Sequence, residues 1–211
     1  MPPTGAADSC LIVVDAQYDF MPGGALAVPK GDEVVPAINR LAERFENVVM
    51  TQDWHPRGHA SFASSHPGRK PFETIRLAYG EQVLWPDHCV QDTPGAAFHS
   101  GISAGKTQLI IRKGYHRGID SYSAFLEADR RTSTGLAGYL KERGLRKLVI
   151  CGLATDFCVA WTALDARAAG FEATVVEDAC RAIDLQGSLA RAWADMIAAG
   201  VLRVSAAAQT A

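Results

Sequence analysis

A doubly wound α/β domain, with a six-stranded parallel sheet and helices on both of its faces, is the fold class that this sequence predicts. Three observations carry the prediction. Six short runs rich in β-branched residues recur along the chain. They are nearly continuously apolar instead of alternating, the mark of strands buried on both faces of a parallel sheet. Between them lie segments of helical periodicity, and Gly144, Gly170 and Gly200 each follow such a segment and precede a strand. That is where a left-handed helix C-cap needs glycine. Strand and helix in alternation imply the doubly wound arrangement.

Taken in order, "SCLIVVDA" is the first strand, and Val34, Val35, Ile38, Leu41, Ala42 and Phe45 recur at helical spacing after it. "ENVVMTQD" is the second strand. The rhythm then breaks: residues 54–106 contain no convincing strand, yet hold five of the six histidines together with Trp54 and Trp85. Long connections inside compact domains are usually functional or disordered, and this one is too aromatic for a solvated linker. It is expected to form a small inserted lobe, folded over one edge of the sheet, within a single domain spanning residues 1–211. "TQLIIRK" and "LRKLVICG" are the third and fourth strands, and the turn "CGLATDFCV" opens a helix running toward Ala169. "FEATVVED" is the fifth strand. A helix carrying Leu185, Leu189, Trp193, Met196 and Ile197 leads to the last strand, "VLRV".

Composition narrows the function classes. With 211 residues, 48% of them hydrophobic, the chain can bury a sizeable core. A net charge of -2 with scattered basic residues argues against nucleic acid and anionic membrane as partners. No apolar run approaches the length of a membrane span, and "MPPTGAADSC" lacks the cationic and apolar regions of a secretion signal. Five cysteines at irregular spacing are not a disulfide framework, so free thiols in a reducing cytoplasm are expected. The stretch "HSGISAGKT" imitates a phosphate loop, but its glycines are one residue too close and it precedes a strand instead of a helix. No dinucleotide fingerprint follows the first strand. Amphipathic helices on such a sheet can face solvent or a twin subunit, so a homo-oligomer is compatible with the pattern.

In an open parallel sheet, ligands bind beyond the carboxyl ends of the strands, where strand order reverses. The residues that end the first four strands are Asp15, Asp53, Lys113 and the turn that leads to Cys158. If Thr155 or Asp156 caps the following helix, Cys158 lies in its first turn, where unpaired N–H groups and the dipole favour a thiolate. By position alone it is equally a small buried residue, the fate expected of Cys10, Cys151 and Cys180. Asp15 and Lys113 shift the balance. A thiol nucleophile needs a base, amide cleavage needs an acid for departing ammonia, and one carboxylate can serve both steps. A lysine beside it would hold the carboxylate and stabilise thiolate and oxyanion charge, although each residue could also be an ordinary strand-end ion pair.

The lobe supplies a second constellation. Asp53 and His55, two apart in extended chain, point to one side; His59 follows, and His88 lies in "LWPDHCV". A carboxylate and two or three imidazoles suit one divalent ion, with zinc first among the candidates and iron or manganese after it. His66, His99 and His116 are expected to be surface or structural histidines, and Cys89 to point away from His88.

The stretches "IVVDAQYDFMPGGALAV", "TQDWHPRGHASFASSHPG", "LWPDHCVQDTPGAAFH", "RKGYHRGIDSYSAF" and "VICGLATDFCVAWTALDA" together resemble the nicotinamidases of the isochorismatase-like cysteine hydrolase superfamily. The likeness runs from about Cys10 to Val204. It implies an enzyme that hydrolyses nicotinamide to nicotinate and ammonia in NAD salvage through a thioester, with pyrazinamide as a side substrate. It further implies Asp15 as general base, Lys113 as its lysine, Cys158 as nucleophile, and Asp53, His55 and His88 as metal ligands. His59 matches a position where family members differ. The Leu153–Ala154 bond matches a cis peptide that turns N–H groups toward an oxyanion, and Phe20, Trp85 and Tyr122 match the walls of the ring pocket. Other amide hydrolases of the superfamily, of ureidoacrylate or carbamoylsarcosine type, are the alternative; they generally lack the D-x-H and distant histidine set. Two further readings stand outside the family: a metallohydrolase in which Cys158 is structural, and a non-catalytic binding module for a small aromatic ligand.

Overall fold

The computed structural model describes residues 7–206; the first part of the stretch read for a secretion signal lies outside them. Six strands form one parallel sheet: β1 (Ser9–Val14), β2 (Val48–Asp53), β5 (Thr107–Lys113), β6 (Lys147–Leu153), β7 (Glu172–Arg181) and β8 (Leu202–Val204), in the order β5-β2-β1-β6-β7-β8. The chain builds outward from β1 through β2 to β5, then returns to the other side of β1 for β6 to β8. The reversal falls between β1 and β6, so the strand ends carrying Asp15 and the Cys158 turn flank it.

The central strands β1 and β2 are buried at every position, as their unbroken apolar runs require. The edge strands depart from that reading. Along β5 burial alternates and Ile110 is half exposed, and on β8 Leu202 is largely exposed. An edge strand is covered on fewer sides, so its apolar side chains need not be buried.

Among the described residues, four α-helices pack around the sheet: α1 (Val34–Glu43), α2 (Leu136–Glu142), α3 (Ala160–Ala168) and α4 (Ser188–Ala198). In α1, Pro36 sits in the first turn, where its missing N–H is not needed, and Val34, Val35, Ile38 and Leu41 bury one stripe against β1, β6 and β7. Phe45 lies just past the helix but is fully buried. Leu185 precedes α4 in a 3₁₀ turn, and Ile197 points outward at 56% exposure, so the buried stripe of α4 is carried by Ala192, Trp193 and Met196. Gly144, Gly170 and Gly200 adopt positive φ after α2, α3 and α4.

Residues 54–106 do contain strands, contrary to the sequence reading. β3 (Thr74–Leu77) and β4 (Gly80–Val83) pair as an antiparallel hairpin. It is short and half exposed, so no apolar run announced it. Isolated bridges from Phe62 to Trp85 and from His55 to Val90 tie the segment together beside the ends of the parallel strands.

Candidate active site

Each functional side chain is set by the end of a strand. Asp15 follows β1 with φ at 48°, a left-handed conformation that is uncommon outside glycine. Asp53 and Lys113 are the last residues of β2 and β5 and are register partners. Cys158 lies after β6, where Gly152 has φ at 117° and any Cβ would meet the Val14 carbonyl oxygen at 2.1 Å; only glycine lets β6 approach β1 there. The Leu153–Ala154 peptide is cis.

Cys158 enters its helix in a way the sequence did not suggest. Thr155–Val159 form a π-turn that runs into α3, and neither Thr155 nor Asp156 caps it. Short π segments of this kind recur at functional sites. The Asp156 carboxylate is turned instead to the segment after β7, accepting the Ile183 N–H at 3.1 Å, the Asp184 N–H at 2.7 Å and the Ser188 hydroxyl.

Lys113 binds the groups together. Its fully buried ammonium lies 2.7 Å from Asp15 Oδ2, contacts Asp53 Oδ1, and donates to Cys158 Sγ at 3.4 Å. Burial alone would neutralise it, but Asp15 and Asp53 outweigh that and hold it charged, well above the usual lysine value. Burial likewise opposes the Asp53 charge, yet Lys113 and His55 hold that carboxyl well below the usual range. Asp15 goes the other way: burial raises it despite Lys113. Burial also pushes the Cys158 thiol well up against the pull of Lys113. Burial thus overrides the helix-dipole expectation, and the resting sulfur is a thiol that needs a base.

The fit of a metal ion can be tested on the donors. Asp53, His55 and His88 each offer one ligand atom, all within 4.8 Å of one another. His55 Nδ1–H donates to the Gly114 carbonyl at 2.9 Å and His88 Nδ1–H to the Pro86 carbonyl at 2.8 Å. Both rings therefore turn Nε2 toward Asp53 Oδ2, at 3.5 and 3.7 Å. Backbone carbonyls holding the far nitrogen are the usual support of a ligating histidine. Gly114 is part of that support, since a Cβ there would meet His55 Cε1 at 2.4 Å. The donor set fits a divalent ion with open positions.

His59 is not one of these three, although with His55 and Asp120 it forms a second group of ligand atoms within 4.8 Å of one another. Its Nε2–H faces the carbonyls of His116 and Ile119, each at 3.1 Å, and its Nδ1 accepts from the Ser61 hydroxyl at 2.7 Å. Burial, reinforced by His55, pushes its imidazole down to about 4, so the ring is neutral and both nitrogens are spoken for. Asp15, Asp53 and Cys158 also converge, but the Lys113 ammonium stands between them. Cys89 is buried outside the donor set, and its N–H donates to Asp19. His66 donates to the Ala60 carbonyl and His116 pairs with Glu127; His99 packs on Tyr18.

These groups border a small cavity lined by Phe20, Leu26, Trp85, Tyr122, Phe157 and Ile183 together with Asp53, His55, His88, Ala154 and Cys158. Trp85 stands edge-on to Phe157 at 4.9 Å between ring centroids, so the space is aromatic-walled. Tyr122 is fixed by its hydroxyl, which accepts Trp85 Nε1–H at 3.0 Å and Gln82 Nε2–H at 3.1 Å. Gln82, from the unforeseen hairpin, also donates to the buried Asp120 at 2.7 Å. Sequence reasoning missed Leu26, Phe157 and Ile183 as walls, Gln82 and Asp120 as their fasteners, and Gln17. The Gln17 amide accepts the Asp53 N–H and donates to the Asp53 carbonyl, both at 2.8 Å, fixing that residue from both sides. Nothing in the sequence marks it beyond its place two residues after Asp15.

The doubly wound α/β fold thus gathers an acid–lysine–thiol set beside an Asp-His-His cluster at its switch point. Residues 9–208 match the isochorismatase domain, and the chain belongs to that family. It is 60% identical over 200 residues to the nicotinamidase of Acinetobacter baylyi, covering 94% of each chain. Its structure is similar to that of a nicotinamidase/pyrazinamidase of Acinetobacter baumannii, with a TM-score of 0.96 at 58% identity over 97% of this chain and 99% of that one. A pyrazinamidase of Pyrococcus horikoshii in complex with zinc aligns with a TM-score of 0.76 at 37% identity, over 94% of this chain and 99% of the other.

Proposed function

We propose that this protein is a nicotinamidase: a metal-containing cysteine amidohydrolase that converts nicotinamide to nicotinate and ammonia in NAD salvage. The observation that carries the chemistry is the Lys113 ammonium in contact with two carboxylates and the Cys158 thiol at the floor of an aromatic-walled cavity. The high identity to the Acinetobacter baylyi nicotinamidase along nearly the whole chain supports the substrate. Pyrazinamide, a ring of the same size bearing the same carboxamide, is the expected side substrate.

Asp15 removes the proton of Cys158, and Lys113 stabilises the resulting thiolate. The sulfur attacks the carboxamide carbon, and backbone N–H groups of Ala154 and Cys158 receive the oxyanion. Asp15 returns the proton to the amide nitrogen, the C–N bond breaks and ammonia leaves. Water, deprotonated by Asp15, then cleaves the thioester; that proton restores the thiol, and the acid formed gives up its own proton to solvent or to the released ammonia and departs as nicotinate. Asp53, His55 and His88 would hold a divalent ion, zinc first among candidates, and such an ion would supply a Lewis-acidic anchor for the pyridine ring. Phe20, Trp85 and Tyr122 wall the ring, and residues 54–106 act as the inserted lobe that completes the pocket within one domain. Five free, buried cysteines fit a reducing cytoplasm.

The test is ammonia release from nicotinamide by purified, metal-loaded protein and by Cys158→Ala. Turnover by the native protein and none by the variant is expected. Metal-dependent turnover surviving in Cys158→Ala would transfer the nucleophile to metal-bound water, and no ammonia from the native protein would point to another amide of the superfamily.

A further inference from the structure

Thr51 interrupts the apolar run of β2, and its side chain is fully buried one strand away from Asp15. A buried threonine in a strand commonly satisfies its hydroxyl on a nearby carbonyl. Here both ends of the hydroxyl are committed to one residue. Thr51 Oγ1 accepts the Asp15 N–H at 3.2 Å and donates its proton to Asp15 Oδ1 at 2.6 Å. A hydroxyl has one proton, so Oδ1 receives it and is occupied. Asp15 Oδ2 has no such hydrogen bond; it faces the Lys113 ammonium at 2.7 Å, and that ammonium also touches Cys158 Sγ.

A partial turn about the Cβ–Cγ bond would draw Oδ1 off the threonine proton and leave a buried hydroxyl unpaired, whereas a half-turn only exchanges the two oxygens and restores the same pairing; in either case one oxygen is held by Thr51 and the other faces Lys113. The bond to the Asp15 N–H adds a second hold on a residue whose backbone is already in the left-handed region.

We propose that Thr51 is a positioning residue that restricts proton transfer to Oδ2 of Asp15 and keeps that oxygen aimed at Cys158. The inference rests on Asp15 being the base of the proposed hydrolysis. In the step concerned the S–H bond breaks, the electron pair stays on sulfur, and the proton forms a bond to Oδ2. The threonine proton stays on its own oxygen throughout, because Oδ1 accepts it whether or not Oδ2 is protonated. Thr51 therefore touches neither substrate nor the transferred proton.

Full-length, metal-loaded Thr51→Val, Thr51→Ala and Thr51→Ser are compared with the native protein by circular dichroism, by kcat and KM for nicotinamide, and by the rate at which iodoacetamide alkylates Cys158, followed by mass spectrometry of its peptide. The valine and alanine variants should lose about tenfold or more in kcat with KM within about twofold, the pattern of a misaimed base. Their alkylation of Cys158 should slow in parallel, and Thr51→Ser should recover most of both rates. Val and Ala variants that fold and react at native rates would overturn the proposal. So would a serine variant as impaired as valine, since that assigns the loss to the methyl group. If valine does not fold, alanine against serine makes the same comparison. Should the native protein release no ammonia, the nicotinamide reading fails, while the alkylation rates still decide the role of Thr51.

Discussion

Lys113 is one positive charge among two carboxylates and a thiol, all removed from water. Removing one partner of such a buried set leaves charges uncompensated, which costs about 3–5 kcal/mol. Lys113→Met is therefore expected to abolish ammonia release and lower stability by an amount of that order, measured by urea denaturation; an inactive variant of native stability would mean that the carboxylates find other partners. Asp15 carries a pH consequence. Burial raises its carboxyl above the ordinary range, and the ionised form is the base. As pH falls, that form is lost earlier than for an exposed aspartate, so the acid limb of kcat/KM should lie above the usual carboxylate range. A limb within that range would contradict it. Asp15, Lys113 and Cys158 could be read from sequence because they are polar or reactive residues ending apolar runs. Thr51 and Gln17 could not, since one polar residue within or just after a buried strand looks the same whether it satisfies itself or holds a neighbour.

At the scale of elements, the turn after β6 decides where the sulfur sits. Gly152 has no room for a Cβ against Val14 and a φ that other residues rarely adopt. Gly152→Ala should destabilise the protein by at least about 2 kcal/mol, visible as a lowered denaturation midpoint; an unchanged midpoint would show that β6 can move away from β1 at little cost. Asp156, two residues before the sulfur, fastens the chain at Ile183, Asp184 and Ser188. Because Ile183 walls the cavity, Asp156→Ala should raise KM for nicotinamide several-fold, the loss expected when about 1 kcal/mol of positioning is removed. Neither the π-turn nor this fastening was legible. The local sequence "ATDFC" suits a side-chain cap equally well, and only the tertiary position of the segment after β7 takes the carboxylate elsewhere. The β3–β4 hairpin escaped for a related reason: two four-residue strands with one partly covered face leave no periodicity long enough to recognise.

For the whole molecule, the parallel sheet of six strands was legible because burial on both faces demands continuous apolar runs, a condition that weakens at the edges β5 and β8 and in the second half of β7, where Glu177 and Asp178 are exposed; the order of the strands was not legible. The topology also explains why four strand ends far apart in sequence reach one cleft. An ion bound by Asp53, His55 and His88 would tie β2 to residues 54–106, so it should stabilise the fold by mass action. Treatment with a chelator is expected to lower Tm and re-addition of zinc to restore it; an unmoved Tm would argue that the donors bind no ion tightly. The ammonium of Lys113 extends this coupling, since it touches a carboxylate of the metal side and the sulfur of the hydrolytic side at once. Any change in charge at Asp53 is thus felt at Cys158 across a single side chain. The molecule carries its own indicator: a thiol-reactive dye, timed before and after chelation, should report by its rate whether the ion is in place.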